Sequence, residues 1–268
     1  MKNTFGFIGT GNMGGALVKA AVKRMAAASV FVANRSPQKA AALAQALGCT
    51  VTDNGWIAEN CGFIFLGVKP QMMEGLLARL APVLAARKDE FVLVSMAAGL
   101  TMESVRRMAG GGYPVIRIMP NTPVAVGSGV VMYDVTDNVT EEAKARFCEN
   151  LAAAGLLDPL PEKLMDAGSA VAGCGPAFAA MFLEALADGG VACGLPRAKA
   201  MEYAAQMLLG TARLALESGQ HPGQLKDAVC SPGGSTIQGV RALEQGGLRC
   251  AAVEAVIAAY EKTVELGK

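Results

Sequence analysis

The sequence predicts an α/β protein with a parallel β-sheet covered by helices in its N-terminal half and only helices in its C-terminal half. Three observations support this prediction. Short apolar segments alternate with helical ones up to about residue 158, a glycine-rich motif joins the first strand to the first helix, and strand-like segments stop after residue 160. We place the boundary after residue 158, which divides the 268 residues into domains 1–158 and 159–268.

The predicted strands are short and almost entirely apolar, as in a sheet that is buried on both faces. They are residues 4–8, 30–33, 63–68, 91–96, 115–119, 130–135 and 156–160. Helices are predicted at residues 12–28 and 37–47, and Thr140 is predicted to cap another helix whose first turn carries Glu141 and Glu142. The C-terminal half predicts helices at residues 176–192, 196–217, 235–245 and 249–266, with Pro176, Pro196 and Pro222 at first helical positions.

The composition excludes several classes of protein. Hydrophobic residues make up 52% and charged residues 18%, which is too apolar for a disordered chain. The uncharged runs at 118–133 and 167–183 are interrupted by Gly and Pro, so they predict no membrane span despite a mean hydropathy of +0.35. A net charge of +1 without a basic block argues against nucleic acid as a partner.

Other features of the composition concern compartment and assembly. The seven cysteines show no C-x-x-C pair, which predicts reduced thiols and neither zinc sites nor disulfides. The start leads directly into a strand, so we expect a cytoplasmic protein. The C-terminal helices are apolar around much of their circumference, so we expect a homodimer, or a higher oligomer, formed through the helical domain.

The segment from Gly9 to Gly14 fits the pattern G-x-G-x-x-G between a strand and a helix. Gly9 permits a tight turn, Gly11 lets the backbone approach a pyrophosphate, and Gly14 allows close packing of the helix. The N-terminus of that helix faces the phosphates. The motif predicts a Rossmann dinucleotide-binding domain, with cofactor contacts from Ile8, Gly9, Thr10, Gly11, Asn12, Met13 and Gly14.

The end of the second predicted strand indicates which dinucleotide binds. An NAD site would place Asp or Glu there, whereas this chain has Asn34, Arg35 and Ser36. Arg35 offers a guanidinium and Ser36 a hydroxyl to the oxygens of a 2′-phosphate. We therefore predict NADPH as the preferred cofactor, with NADH as the alternative.

A loop in the helical half has the properties of a small-anion site. The Ser231 to Gly234 stretch, Ser-Pro-Gly-Gly, cannot continue a helix, while Ser235 and Thr236 can begin one. Free backbone N–H groups and hydroxyls at such a helix start suit a small carboxylate. The alternative interpretation is an ordinary turn between two helices.

Together these features resemble the Δ1-pyrroline-5-carboxylate reductase family, the NAD(P)H enzymes that complete proline synthesis. The resemblance extends over nearly the whole chain, and its most specific part is the run from Lys226 to Gly234. The matching segments are Gly9–Gly14, Val68–Pro70, Ala97–Gly99, Met119–Pro123, Gly173–Pro176, Ala187–Gly190 and Leu225–Ile237. The family has a Rossmann domain followed by a helical domain that interleaves with a second subunit, so the resemblance implies the same arrangement here.

The resemblance also implies roles for individual residues. Ser231, Gly234, Ser235 and Thr236 would hold the substrate, a small cyclic imine carboxylate, and Ser235 stands where the family usually has Thr or Ala. Thr236 would be catalytic, through a hydrogen bond to the ring nitrogen. Cofactor contacts would come from Asn34, Arg35, Ser36, Asn54, Leu66, Val68, Lys69, Pro70, Met96, Ala97, Ala98, Asn121, Thr122, Pro123 and, from the domain junction, Glu162.

Imine reduction needs little acid catalysis, because the imine can arrive protonated. The single histidine, His221, precedes Pro222 and is predicted to cap a helix.

Two alternative functions are open at this point. A β-hydroxyacid dehydrogenase-like NADP oxidoreductase would need a Lys after a glycine pair early in the second domain, whereas Gly173 and Gly175 are followed by Pro176, Ala177, Phe178 and Ala179. A non-catalytic NADPH-sensing protein would not need a carboxylate-binding loop, so the Ser231–Thr236 loop argues against it.

Overall fold

The computed structural model describes residues 1–266, which form two compact units. The first, here called the sheet unit, comprises Met1–Cys174 and the chain from Ala259 onward, and the second, the helical unit, comprises Gly175–Ala258. The last strand ends at Pro159, and the sheet unit extends beyond it to Cys174. The boundary after residue 158 stays a prediction.

The sheet unit is built on one eight-stranded sheet in the order β3-β2-β1-β4-β5-β6-β7-β8. The strands are β1 Phe5–Ile8, β2 Val30–Ala33, β3 Thr50–Val51, β4 Phe63–Leu66, β5 Val92–Ser95, β6 Val115–Pro120, β7 Gly129–Val135 and β8 Gly155–Pro159. All strands were predicted except β3, which has only two residues and no apolar run.

The direction of β7 departs from the all-parallel sheet expected from the sequence. β7 pairs antiparallel with β6, with Met119 opposite Met132, and β8 pairs parallel with β7. Only residues 121–128 connect β6 to β7, and a parallel connection needs a crossover of a dozen or more residues. The chain therefore turns back on itself after β6.

Helices connect the strands and cover both faces of the sheet. In this unit they are α1 Asn12–Ala21, α2 Pro37–Leu47, α3 Asn54–Asn60, α4 Pro70–Ala86, α5 Met102–Ala109, α6 Glu141–Leu151 and α7 Met165–Gly168. Helix α1 ends at Ala21 instead of residue 28, because Lys23 and Arg24 switch to hydrogen bonds three residues back. The predicted cap of α6 is confirmed, since the Thr140 side chain accepts a hydrogen bond from the Ala143 N–H at 3.2 Å.

The core beneath the first strands is aromatic. Phe5, Phe7, Phe63 and Phe65 are fully buried on β1 and β4, and Phe7 and Phe65 stack with ring centroids 4.2 Å apart. Phe147 of α6 packs against this cluster, with its ring centroid 6.3 Å from that of Phe65. This packing fixes β1 against β4, and the loops after both strands start from that rigid base.

The helical unit contains α8 Gly175–Ala192, α9 Arg197–Ser218, α10 Pro222–Ala228, α11 Ser235–Gln245 and the first part of α12 Leu248–Leu266. Many of its large apolar side chains are exposed in the single chain, among them Met181, Leu209 and Leu216.

The expectation that Gly and Pro interrupt the apolar run near residue 175 is wrong. The segment Glu162–Ala192 is continuously helical, and by length and composition alone it could cross a membrane. A π turn at Ser169–Gly173, where the Cys174 N–H bonds the Ser169 carbonyl at 2.9 Å, precedes Pro176 and accommodates it. Pro176 is therefore the second residue of α8 within a longer helical segment.

Candidate active site

The predicted dinucleotide loop lies where the strand order of the sheet reverses. β1 is flanked by β2 on one side and β4 on the other, and Ile8 at the end of β1 pairs with Leu66 at the end of β4. The Gly9 N–H bonds the Ala33 carbonyl and the Gly67 N–H bonds the Ile8 carbonyl, both at 2.8 Å. Open α/β sheets bind ligands outside the carboxyl ends of strands at such a switch point.

Close backbone packing explains two of the motif glycines. Gly9 has φ +97°, and a Cβ there would lie 2.4 Å from the Gly67 carbonyl oxygen. A Cβ on Gly14 would lie 2.2 Å from the Gly9 carbonyl oxygen. A Cβ on Gly67 would likewise lie 2.4 Å from the Gly9 carbonyl oxygen. The sequence motif did not predict this requirement for glycine at position 67.

Gly11 differs from these glycines. Apart from its chain neighbours and its own helix, no heavy atom of the described residues lies within 4 Å of the Cβ that could be built on it. It is the N-cap of α1, no side chain caps that helix, and the first helical bond runs from the Gly15 N–H to the Gly11 carbonyl. Among the described residues, the hydroxyl oxygen of Thr10 is one of only two buried side-chain nitrogen or oxygen atoms without a hydrogen-bond partner. An open approach, free N–H groups and an unpaired hydroxyl fit the pyrophosphate of a dinucleotide.

The residues predicted at the adenosine end lie just beyond β2. Arg35 is exposed, and Ser36 is the N-cap of α2 but its hydroxyl makes no capping bond. The Asn34 side chain donates to the Ser36 carbonyl at 3.4 Å. Asn54 is half-buried at the start of α3. Both the guanidinium of Arg35 and the hydroxyl of Ser36 are thus available to a phosphate.

The remaining predicted cofactor residues lie at the end of β4 or follow β4, β5 and β6, which are parallel neighbours. Their carboxyl ends share one edge of the sheet, so the loops after them lie along the same edge as the glycine motif. These residues are Leu66, Val68, Lys69, Pro70, Met96, Ala97, Ala98, Asn121, Thr122 and Pro123. Their contacts with a cofactor stay predictions.

Glu162 already has partners within the protein. Its Oε1 accepts the Met102 N–H at 2.7 Å, which caps α5, and a hydrogen bond from Arg117 at 3.1 Å. Arg117 is 3% exposed and also pairs with Asp166 at 3.2 Å. This ion-pair cluster was not predicted from the sequence, although a charged residue inside the apolar strand β6 was a signal for it. A contact from Glu162 to the cofactor stays a prediction.

The predicted substrate loop lies in the helical unit. Gly233 has φ +71°, the Gly234 N–H bonds the Ser231 carbonyl at 3.0 Å, and Gly234 is the N-cap of α11. No side chain caps that helix, and Ser235 and Thr236 in its first turn are exposed. The loop therefore presents unpaired backbone N–H groups beside two hydroxyls, as the sequence predicted.

Two charged or polar residues before the loop have structural partners. His221 caps α10, as predicted: its Nδ1 accepts the Gly223 N–H at 3.1 Å, and the Gln224 side chain accepts the His221 N–H. Lys226 donates to Asp227, and this hydrogen bond raises the pKa of Lys226.

This chain is similar to known proteins over its whole length. Residues 162–266 match the family model for pyrroline-5-carboxylate reductase dimerisation, and residues 4–99 match that for NADP oxidoreductase, coenzyme F420-dependent. Pyrroline-5-carboxylate reductase of Escherichia coli (strain K12) is 40% identical over 100% of both chains. The reductase of Pisum sativum is 39% identical over 98% of this chain and 96% of its own. The chain belongs to the pyrroline-5-carboxylate reductase family.

Solved structures of the family have the same fold. The Plasmodium falciparum pyrroline carboxylate reductase with NADP bound superposes with a TM-score of 0.89, at 30% identity, over 99% of this chain and 98% of that one. Prephenate dehydrogenase from Aquifex aeolicus, at 12% identity and a TM-score of 0.51, shares only the fold. These matches confirm the predicted family and fold class, a Rossmann domain followed by a helical domain.

Proposed function

We propose that this chain reduces Δ1-pyrroline-5-carboxylate to L-proline with hydride from NADPH, the last step of proline biosynthesis, in the cytoplasm. The observation that carries the proposal is the 40% identity to the Escherichia coli reductase over the full length of both chains. The glycine motif at the switch point and the Ser231–Thr236 loop supply a dinucleotide site and a carboxylate site.

The sheet unit would hold the cofactor. Backbone N–H groups at the start of α1, the open approach at Gly11 and the Thr10 hydroxyl would bind its pyrophosphate. When bound, NADPH supplies the hydride that the imine carbon receives.

The substrate loop would orient the imine. The backbone N–H groups at the start of α11 would bind the carboxylate, and the Thr236 hydroxyl would hydrogen-bond the ring nitrogen. The nitrogen can arrive protonated, so the loop needs to position the ring rather than to supply a strong acid.

The test is NADPH oxidation followed spectrophotometrically against a panel of cyclic imine carboxylates, with pyrroline-5-carboxylate and a six-membered ring analogue included. We expect turnover with pyrroline-5-carboxylate and proline as the product. NADPH binding without turnover of any imine would indicate a sensor and would contradict the proposed activity.

Arg35 is expected to select NADPH over NADH. Arg35→Ala should raise KM for NADPH about tenfold, because one charge-assisted hydrogen bond at an exposed site is worth about 1.5 kcal/mol. KM for NADH should stay unchanged, since NADH has no 2′-phosphate. Equal effects on the two cofactors would show that Arg35 does not contact that phosphate. Lys39→Ala, which removes another exposed cation from the same helix start, is the matched control.

The helical unit is expected to form a homodimer. Residues 162–266 match a dimerisation family, and the single chain exposes Met181 (71%), Leu209 (59%) and Leu216 (86%). Apolar surface of this kind marks an interface between subunits. Light scattering at micromolar concentration should give at least the mass of a dimer, and a monodisperse soluble monomer would contradict the prediction.

A further inference from the structure

Asn121, directly after β6, has both polar atoms of its side-chain amide hydrogen-bonded within the sheet unit. Its Oδ1 accepts the Val130 N–H at 2.9 Å, and its Nδ2 donates to the Ala172 carbonyl at 3.0 Å. The N–H of Val130 can only donate and the carbonyl of Ala172 can only accept, so both bonds fix the orientation of the amide. Asn121 is 7% exposed, which leaves little room for water to replace either bond.

The Ala172 carbonyl needs this donor because of Pro176. In a regular helix the N–H of residue 176 would bond the carbonyl four residues before it, and proline has no N–H. Ala172 lies in the π turn Ser169–Gly173 of the continuous helical segment Glu162–Ala192. The Asn121 amide therefore gives the Ala172 carbonyl a donor that position 176 cannot provide.

The contact joins one segment of the family resemblance, Met119–Pro123, to the residue directly before another, Gly173–Pro176. Asn121 precedes Thr122 and Pro123, which begin a short 3-10 helix, and the π turn leads directly into the Gly173–Pro176 segment. A single amide thus links the loop predicted at the nicotinamide end of the cofactor to the helix that continues into the helical unit.

We propose that Asn121 is a positioning residue for the reduction, which rests on the proposed function. Its amide holds the Thr122–Pro123 loop and the π turn in one fixed arrangement by giving the Ala172 carbonyl the donor that Pro176 lacks. In this role the side chain of Asn121 acts through these two hydrogen bonds rather than through a contact with the cofactor.

The first test is Asn121→Asp, which keeps the shape and the acceptor for Val130 but removes the donor for Ala172. We expect kcat to fall about tenfold, the loss expected for one positioning hydrogen bond, while the dissociation constant for NADPH stays unchanged. An unchanged kcat would overturn the proposal. A loss of NADPH affinity in step with kcat would also overturn it, because the side chain would then contact the cofactor.

The second test is a double-mutant cycle between positions 121 and 176. Pro176→Ala supplies a backbone N–H to the Ala172 carbonyl, so the double variant Asn121→Ala, Pro176→Ala should recover part of the activity and thermal stability lost in Asn121→Ala. If the effects of the two substitutions on activity and thermal stability simply add, the contact that the proposal requires is contradicted. A rescue would show that Asn121→Ala acts by removing the donor to the Ala172 carbonyl. A general loss of packing at position 121 would not be rescued by Pro176→Ala.

Two readouts keep the proposal separate from the proposed function. The wild-type rate with pyrroline-5-carboxylate tests the proposed function alone. Thermal unfolding across the same cycle, and faster hydrogen exchange of the Val130 amide in Asn121→Ala, test the bridging contact without any substrate. Unchanged exchange at Val130 together with additive unfolding temperatures would overturn the proposal even if the enzyme is active.

Discussion

Thr236→Ala is expected to lower turnover about ten- to a hundredfold while the affinity for NADPH hardly changes. The substitution removes the hydroxyl assigned to the substrate nitrogen and leaves the backbone N–H groups at the start of α11 in place. A bond that acts by orientation and charge placement is worth roughly 1.4–3 kcal/mol in the transition state. Steady-state kinetics with pyrroline-5-carboxylate, and NADPH titration by fluorescence, measure the two effects separately.

Two variants serve as controls for Thr236. Thr236→Ser keeps a hydroxyl and should recover much of the rate. Ser235→Ala removes the neighbouring exposed hydroxyl from the same helical turn and should raise KM more than it lowers kcat, since that side chain is assigned to substrate binding only. Wild-type turnover in Thr236→Ala would remove Thr236 from the mechanism and leave the loop as a carboxylate site.

Gly11→Ala is expected to weaken NADPH binding roughly five- to a hundredfold without destabilising the protein. A Cβ at Gly11 meets no heavy atom within 4 Å, and its φ of −67° suits alanine, so the free energy of unfolding should not fall. The same Cβ would occupy the space through which a pyrophosphate approaches. Forcing a methyl group into a packed contact costs about 1–3 kcal/mol, or roughly five- to a hundredfold in the dissociation constant.

Two neighbouring glycines separate the effect on the ligand from the effect on the fold. Gly9→Ala should destabilise the apoprotein, because φ is +97° and the new Cβ would lie 2.4 Å from the Gly67 carbonyl oxygen. Gly15→Ala should keep NADPH affinity, since its Cβ would meet only ordinary contacts, the nearest at 3.8 Å. Calorimetric titration and thermal unfolding distinguish these cases, and unaltered NADPH affinity in Gly11→Ala would refute the pyrophosphate assignment.

The sequence alone was sufficient for the fold class, most strands, the family and the cap at His221. Apolar runs and glycine spacing are local patterns. They therefore predict strands, helices and the dinucleotide motif without knowledge of contacts between distant residues. The helices α3, α4 and α5 were nevertheless missed, and β7 was expected to be parallel. Strand direction depends on the length of the connection after β6, which the apolar pattern does not contain.

The contacts between distant segments were decided only in the tertiary structure. Arg117 pairs with Glu162 and Asp166, and Asn121 bonds Ala172, across separations that no motif spacing encodes. Proline near residue 175 was taken to interrupt the helix, whereas the helix continues there. The physical reason is that a buried polar group must find a partner, and the partner here comes from the distant helical segment that begins at Glu162 rather than from the local sequence.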